Sequence, residues 1–376
     1  MARQSEFYKG RRKKRNYALV PTAIAVGVIT LIVVLFYGMQ KYAVITKDGV
    51  NVELPILTKG ETVIDESGHE VKVFEPVEVD VVYDEPDYSY IKATAGKKVP
   101  EMRAIFVPSE NINHDKLMEY ANRLKSGNAL VLEMKPRSGL LMWNSSAQVA
   151  SSYGLSTPTE ITDQMPEFIA QLKSDDIYLV AQISCCLDAM FTARSTSVAL
   201  RRADNGANYI DGYGTWLDPY SQTVRNYIAE LAQELFDMGF DEVVLADVAH
   251  PVLDAGVELL YTRELSTAPK PYSAVSGFAI SVANALRDRT GLLSIYINDY
   301  EALAKTNTYG QDAALFMKLY DRVYVSTDKF AYPYNLEDIK SKVQFGKAQD
   351  RLVPVVISNL PENTSWVLVD APQEGE

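Results

Sequence analysis

The chain has 376 residues, with 37 Lys and Arg against 49 Asp and Glu, a net charge of −12, two cysteines and three histidines. That acidity repels phosphate backbones and excludes nucleic acid as a natural partner. Adjacent Cys185 and Cys186 point to opposite faces of an extended chain and make a poor disulfide, while three scattered histidines without zinc-finger spacing argue against a metal centre.

Residues 1–16 form a basic tail containing Arg11-Arg12-Lys13-Lys14-Arg15. Behind it, Ala18 to Tyr37 is an apolar run broken by Pro21, Thr22 and Thr30. A run of about 20 apolar residues is what a helix needs to cross the bilayer, so the sequence predicts a single membrane anchor over 17–38. Lys and Arg resist translocation, which keeps the tail cytoplasmic and puts the rest of the chain outside the plasma membrane. The tail takes up seven basic residues and only Glu6, leaving 30 Lys and Arg against 48 Asp and Glu, or −18, for the remainder. An exported domain with so few cysteines must be held by a large apolar core.

Residues 39–100 read as an acidic, β-rich stalk, with turn signals at Lys47-Asp48-Gly49 and Glu66-Ser67-Gly68. The acidic stretch from Val77 to Tyr90, punctuated by Pro76 and Pro86, reads as extended and solvated.

From residue 101 to 376 short β-branched runs alternate with longer amphipathic ones. The strands expected are Arg103–Val107, Ala129–Lys135, Ile177–Ser184, Glu242–Val248, Leu292–Ile297, Arg322–Ser326, Leu352–Ile357 and Trp366–Val369. Helices are expected over Asp115–Lys125, Asp163–Lys173, Ser221–Met238, Ser276–Arg289, Asp312–Leu319 and Leu336–Gly346. Continuous apolar strands covered by helices fit a parallel sheet, and this many βα units fit a TIM-type (β/α)8 barrel. No Gly-rich phosphate loop follows a strand and no Gly-x-Ser-x-Gly elbow occurs, so neither a nucleotide cofactor nor an α/β-hydrolase is indicated.

In such a barrel, side chains at the carboxyl ends of strands converge on one mouth. Those ends supply Glu133 and Lys135, Asp188, Asp247, Asn298 and Asp299, and Asp328. Two carboxyl groups across a sugar-sized cleft are what glycosidic cleavage requires. Asp247 ends a buried strand, where an isolated charge would cost several kcal/mol, and is the leading catalytic carboxylate, with Glu133 or Asp188 as its partner. Lys135, two residues from Glu133 and on the same face by alternation, would tune Glu133 or bind substrate. Trp216, Tyr296, Tyr209, Tyr213 and Tyr332 offer faces on which a sugar ring stacks, and His250 joins Asn298 and Asp328 as a substrate contact. Asp218, before Pro219, reads as a helix cap, while Asp241 and Asp288 read as solvated helix-edge residues.

Three segments, Trp216-Leu217-Asp218-Pro219-Tyr220-Ser221, Gly239 through Asp247, and Asn128-Ala129-Leu130-Val131-Leu132-Glu133-Met134-Lys135, resemble a bacterial family labelled "putative glycoside hydrolase". Lys47-Asp48-Gly49-Val50 is similar to the family's segment after its anchor. The resemblance implies a membrane-anchored, distantly α-amylase-like TIM barrel acting on an extracellular or cell-wall glycan without a cofactor. Two features depart from it. The family's fourth strand ends Phe-Asp-Tyr-x-Arg-Phe-Pro where this chain has Ala246-Asp247-Val248-Ala249-His250-Pro251, and the third carries Ala-Arg-Ile where this chain has Ala181-Gln182-Ile183. With both arginines missing, a barrel that binds glycan or a protein without cleaving it is the alternative.

Overall fold

A computed structural model describes residues 97–124, 128–262, 270–297, 308–326, 351–357, 360 and 364–369, together with Val28 and the backbone of four short N-terminal strands. The chain divides into two units, Met1–Glu85 and Pro86–Glu376. In the first, Ala43–Thr46 pairs antiparallel with Gly49–Val52, and Thr62–Ile64 with Glu70–Lys72. Among the described residues no helix is long and apolar enough to cross a membrane. Of the anchor expected over 17–38, only Val28 is described; the helix expected at Leu336–Gly346 and residues Asn298, Asp299, Asp328 and Tyr332 lie outside the described residues.

The second unit is a closed barrel of parallel strands. Its strands are β1 (Arg103–Val107), β2 (Ala129–Lys135), β3 (Tyr178–Ser184), β4 (Glu242–Ala246), β5 (Leu292–Ile297), β6 (Arg322–Ser326), β7 (Leu352–Val356) and β8 (Trp366–Leu368). Each pairs with its neighbour in chain order, and β8 returns to β1. Among the described residues, the helices outside it are α1 (His114–Asn122), α2 (Gln148–Tyr153), α3 (Glu160–Ser174), α4 (Ala189–Arg194), α5 (Gln222–Met238), α6 (Pro271–Ala285) and α7 (Ala313–Leu319).

Strand alternation divides the core into two layers. Ala104, Ala129, Val131, Val180, Val244, Tyr324, Val353, Val355 and Val367 fill the lumen, while Leu130, Leu132, Met134, Leu179, Ala181, Val243 and Leu245 meet the helices. Helix α5 shows why its sequence is helical: Val224, Tyr227, Ile228, Leu231, Ala232, Leu235 and Phe236 recur every three or four residues and are buried, and Gly239 ends the helix in the left-handed conformation. Helix α3 begins at Glu160, earlier than the periodicity alone indicates, because Thr159 and Thr162 form a reciprocal capping box. Helix α6 likewise starts earlier than expected, at Pro271, whose fixed φ and missing N–H suit a first helical position.

The amino-terminal end of the barrel is sealed by a buried polar cluster. Glu242, fully buried, pairs with Arg322 at 3.0 Å and accepts from Tyr178 (2.9 Å), Tyr324 (2.8 Å) and Ser294 (2.6 Å). Arg322 also donates to the carbonyl of Pro100. Next to it, Asp241 is no solvated edge residue, since it pairs with Lys173 at 2.6 Å and accepts from Leu179 N, joining α3, β3 and β4. Asp288 is exposed, as expected.

Candidate active site

A cavity of about 470 Å³ opens at the carboxyl ends of the strands, lined in part by Phe106, Glu110, Glu133, Arg137, Gln182, Ser184, Asp247, Tyr296 and Tyr324. Glu133 continues the lumen-facing series Ala129 and Val131, so strand alternation carries its carboxyl into the cavity. It is half-buried, and its Oε2 accepts a 3.0 Å bond from Ser109 N on the turn after β1.

Asp247 follows β4 directly and adopts a left-handed backbone, φ +52°, a conformation that Asp and Asn tolerate better than most side chains. Its side chain is 5% exposed and is held from two sides. Arg137 donates bidentately, Nη2 to Oδ1 at 2.7 Å and Nε to Oδ2 at 3.1 Å. Ser184, the last residue of β3, lies with its Oγ 2.7 Å from Oδ2. The β3 backbone runs on beside it, Cys185 N and Cys186 N donating to the carbonyls of Ala246 and Asp247. Asp247 is thus the anionic half of an oriented ion pair at the cavity wall.

Arg137 was not among the residues the sequence singled out. It lies in the loop after β2, two residues past Lys135, where attention to the last strand residue and to the family's arginine positions overlooks it. Its placement is built from the backbone: its carbonyl accepts from Ala189 N (3.1 Å) and that of Ser138 from Met190 N (3.0 Å), so the loop is seated on the first turn of α4. Gly139, at φ +86°, completes the loop; a Cβ there would fall 2.1 Å from Asp188 Oδ1, so only glycine fits.

Three expectations need correction at this point. Asp188 is fully buried and both oxygens are spent on structure: Oδ1 caps α4 by accepting from Phe191 N at 2.7 Å, and Oδ2 forms an ion pair with Lys135 Nζ at 2.9 Å. It is not in the cavity lining, so it is not the partner of Asp247. Lys135 lines the same cavity as Glu133, past a register shift that interrupts the strand between them, but is not paired with it. Its buried ammonium instead donates to Ser184 O at 2.7 Å and lies 5.8 Å from the Tyr227 ring. Asp218 caps no helix; α5 begins at Gln222 behind Ser221, and Asp218 accepts from Tyr220 N, Thr262 N and Thr262 Oγ1 to tie two loops together.

The remaining expected contacts divide between cavity and scaffold. Tyr296 lines the cavity. Trp216 and His250 do not. Trp216 is 2% exposed and donates through Nε1 to Asp211 Oδ2 at 2.8 Å, which anchors the hairpin Ile210–Asp211 with Gly214–Thr215. His250 is buried between the Pro251 carbonyl (Nδ1, 2.8 Å) and the Tyr261 hydroxyl (Nε2, 2.9 Å); burial lowers its pKa from the ordinary imidazole value. These partners assign the proton to Nδ1. Tyr213 is half-exposed and its ring lies 5.5 Å from the Arg137 guanidinium carbon, whereas Tyr209 is buried. Among the described residues no group of three His, Cys, Asp or Glu side chains is gathered to hold a metal ion.

A family model described as "Putative glycosyl hydrolase domain" matches residues 104–344. Among solved structures, the chain is similar to the PgaB (BpsB) glycoside hydrolase domain from Bordetella bronchiseptica, at 15% identity and a TM-score of 0.49 over 68% of this chain and 84% of that one. It is also similar to a hypothetical protein from Ruminiclostridium thermocellum ATCC 27405, at 18% identity and 0.43 over 51% and 96%. A third is Aspergillus fumigatus Ega3 in complex with galactosamine, at 12% identity and 0.42 over 70% and 80%. No curated protein matches the chain.

Proposed function

The chain belongs to the family described as "Putative glycosyl hydrolase domain", and from that premise we propose that it cleaves glycosidic bonds of an extracellular or cell-wall glycan at the barrel mouth, with Asp247 and Glu133 as the paired carboxylates. The observation that carries this reading is the presence, in one cavity of ligand-binding size with aromatic walls, of an ion-paired carboxylate and a half-buried carboxyl from a different strand.

Division of labour follows from their surroundings. Glu133, whose one protein donor among the described residues is Ser109 N, gives its proton to the glycosidic oxygen as the bond to the anomeric carbon breaks. Asp247 faces the positive charge that develops on that carbon and completes the reaction as nucleophile or as base for water. Tyr296 provides a ring face for sugar stacking. The missing strand arginines were the support for a barrel that binds without cleaving; Arg137 supplies a guanidinium to Asp247 from the neighbouring loop instead. The proposed setting is the outer face of the plasma membrane, supported by the apolar run from Ala18 to Tyr37 behind a basic cluster.

The test is a panel of cell-wall and extracellular polysaccharides offered to the detergent-solubilised full chain, with binding and release of reducing ends scored separately. Release by the wild type, and binding without release by Glu133→Gln, is the expected result. Binding without release by the wild type across the panel would overturn the hydrolase reading in favour of a binding module.

A further inference from the structure

Resting on that reading, we infer that Arg137 is the positioning residue of the reaction and that Tyr213 is the clamp that keeps it in place, so that an accessory hairpin outside the barrel sets the geometry of Asp247. Arg137 is otherwise an improbable choice for this task. Its side chain is 47% exposed, it comes from a loop, and a long flexible side chain in that setting loses much of its order to solvent. Two features remove that freedom. Its backbone is fixed by the amides of Ala189 and Met190 at the start of α4. Its guanidinium lies 5.5 Å from the centre of the Tyr213 ring while its Nε and Nη2 hold Asp247. Planar guanidinium groups favour this combination of bidentate carboxylate contact and ring stacking, which an ammonium cannot reproduce.

Tyr213 is itself held. Its amide donates to Asp211 Oδ1 at 2.8 Å, and the other oxygen of Asp211 accepts from buried Trp216, so the hairpin turn carrying the ring is pinned to the barrel. The order of dependence is therefore Trp216 to Asp211 to Tyr213 to Arg137 to Asp247. Arg137 acts on the reaction through Asp247, whose carboxylate it holds together with Ser184.

Two measurements on the detergent-solubilised full chain test this. In the first, turnover of a glycan substrate is resolved into kcat and KM. Arg137→Gln and Arg137→Lys are expected to lower kcat by about 100-fold with KM within about threefold, the loss that a misplacement near 1 Å produces. Guanidinium ion is expected to restore at least a tenth of that loss in Arg137→Ala and none in Asp247→Asn. Tyr213→Ala should lower kcat by about fivefold, within the range of a cation–π contact, and Tyr213→Phe should keep it. A loss confined to KM, full activity in Arg137→Lys, or equal losses in Tyr213→Phe and Tyr213→Ala would overturn the inference.

The second measurement needs no turnover: denaturant unfolding, read by the barrel tryptophans, of a double-mutant cycle between Tyr213→Ala and Asp247→Asn. The unfolding constants should depart from additivity by about threefold or more, and this coupling should vanish when Arg137 is Gln. Additivity in the wild-type background would overturn the clamp. If the wild type cleaves no glycan, the hydrolase reading fails by the first measurement while the second still decides whether Tyr213 holds Asp247 through Arg137.

Discussion

Replacing Asp188 by Asn separates a structural carboxylate from a reacting one. Asn caps a helix about as well as Asp, so the bond to Phe191 N at the start of α4 is retained and the change isolates charge. What is lost is the partner of Lys135, a fully buried ammonium whose other acceptor is the carbonyl of Ser184. Breaking a buried ion pair by removing one member costs about 3–5 kcal/mol, because the remaining charge stays desolvated. Both groups are inaccessible to water, so no discount for solvent screening applies. For a barrel unit of this size that cost lowers Tm by roughly 5–15 °C. Adding Lys135→Met to Asp188→Asn removes the stranded charge and should recover most of the loss. Thermal unfolding by circular dichroism, with glycan turnover normalised to folded protein, reads both effects. Asp188→Asn with an unchanged Tm and abolished turnover would refute the argument and return Asp188 to the reacting groups.

Glu242→Gln should destabilise the barrel by about 3–5 kcal/mol in denaturant unfolding, since it strands the buried Arg322 guanidinium at the closed end; a change below about 1 kcal/mol would show that the cluster is not under electrostatic constraint. His250 titrates lower in the folded protein than in the unfolded chain, so the unfolded state takes up a proton first as pH falls below the ordinary imidazole value near 6.5, and stability is lost there. His250→Gln should flatten the dependence of Tm on pH below about 6.5 and leave it unaltered above; an identical acid slope in the variant would contradict this. Cys185 and Cys186 are free and buried, and burial pushes the Cys186 thiol up to about 12. Neither should react with iodoacetamide at neutral pH until the protein is denatured, and stoichiometric native labelling would contradict that burial.

Much of the barrel was legible because its strands are written as short runs of β-branched and aliphatic residues. The run Ala129–Lys135 and the run Leu292–Ile297 have the same limits in the structure as in the sequence reading. Helix starts were less legible where a cap lay outside the apolar period, as with Thr159 before α3 and Pro271 at the start of α6. At the mouth, the rule that strand ends converge brought Glu133, Asp247 and Tyr296 to one cavity. It also brought Lys135 there, though nothing in Glu133-Met134-Lys135 announces that the ammonium is paired with Asp188. It failed for Asp188 because a strand-end carboxylate that caps a short helix looks the same in sequence as one that faces substrate. Arg137 escaped because its role depends on a loop seated on α4 and on a hairpin distant in sequence, neither of which leaves a local pattern. Glu242, sealing the opposite end, reads locally as one more charged residue between helix and strand.

The reaction assigned to the barrel mouth depends most directly on Asp247, and the decisive measurement is the rate of glycan cleavage by Asp247→Asn beside its unfolding curve. Asparagine keeps the shape of the side chain and tolerates the left-handed backbone at this position, so the fold should survive. The account predicts a loss of about 1,000-fold or more in kcat with Tm within a few degrees of the wild type. Cleavage at the wild-type rate by a folded Asp247→Asn protein would contradict it.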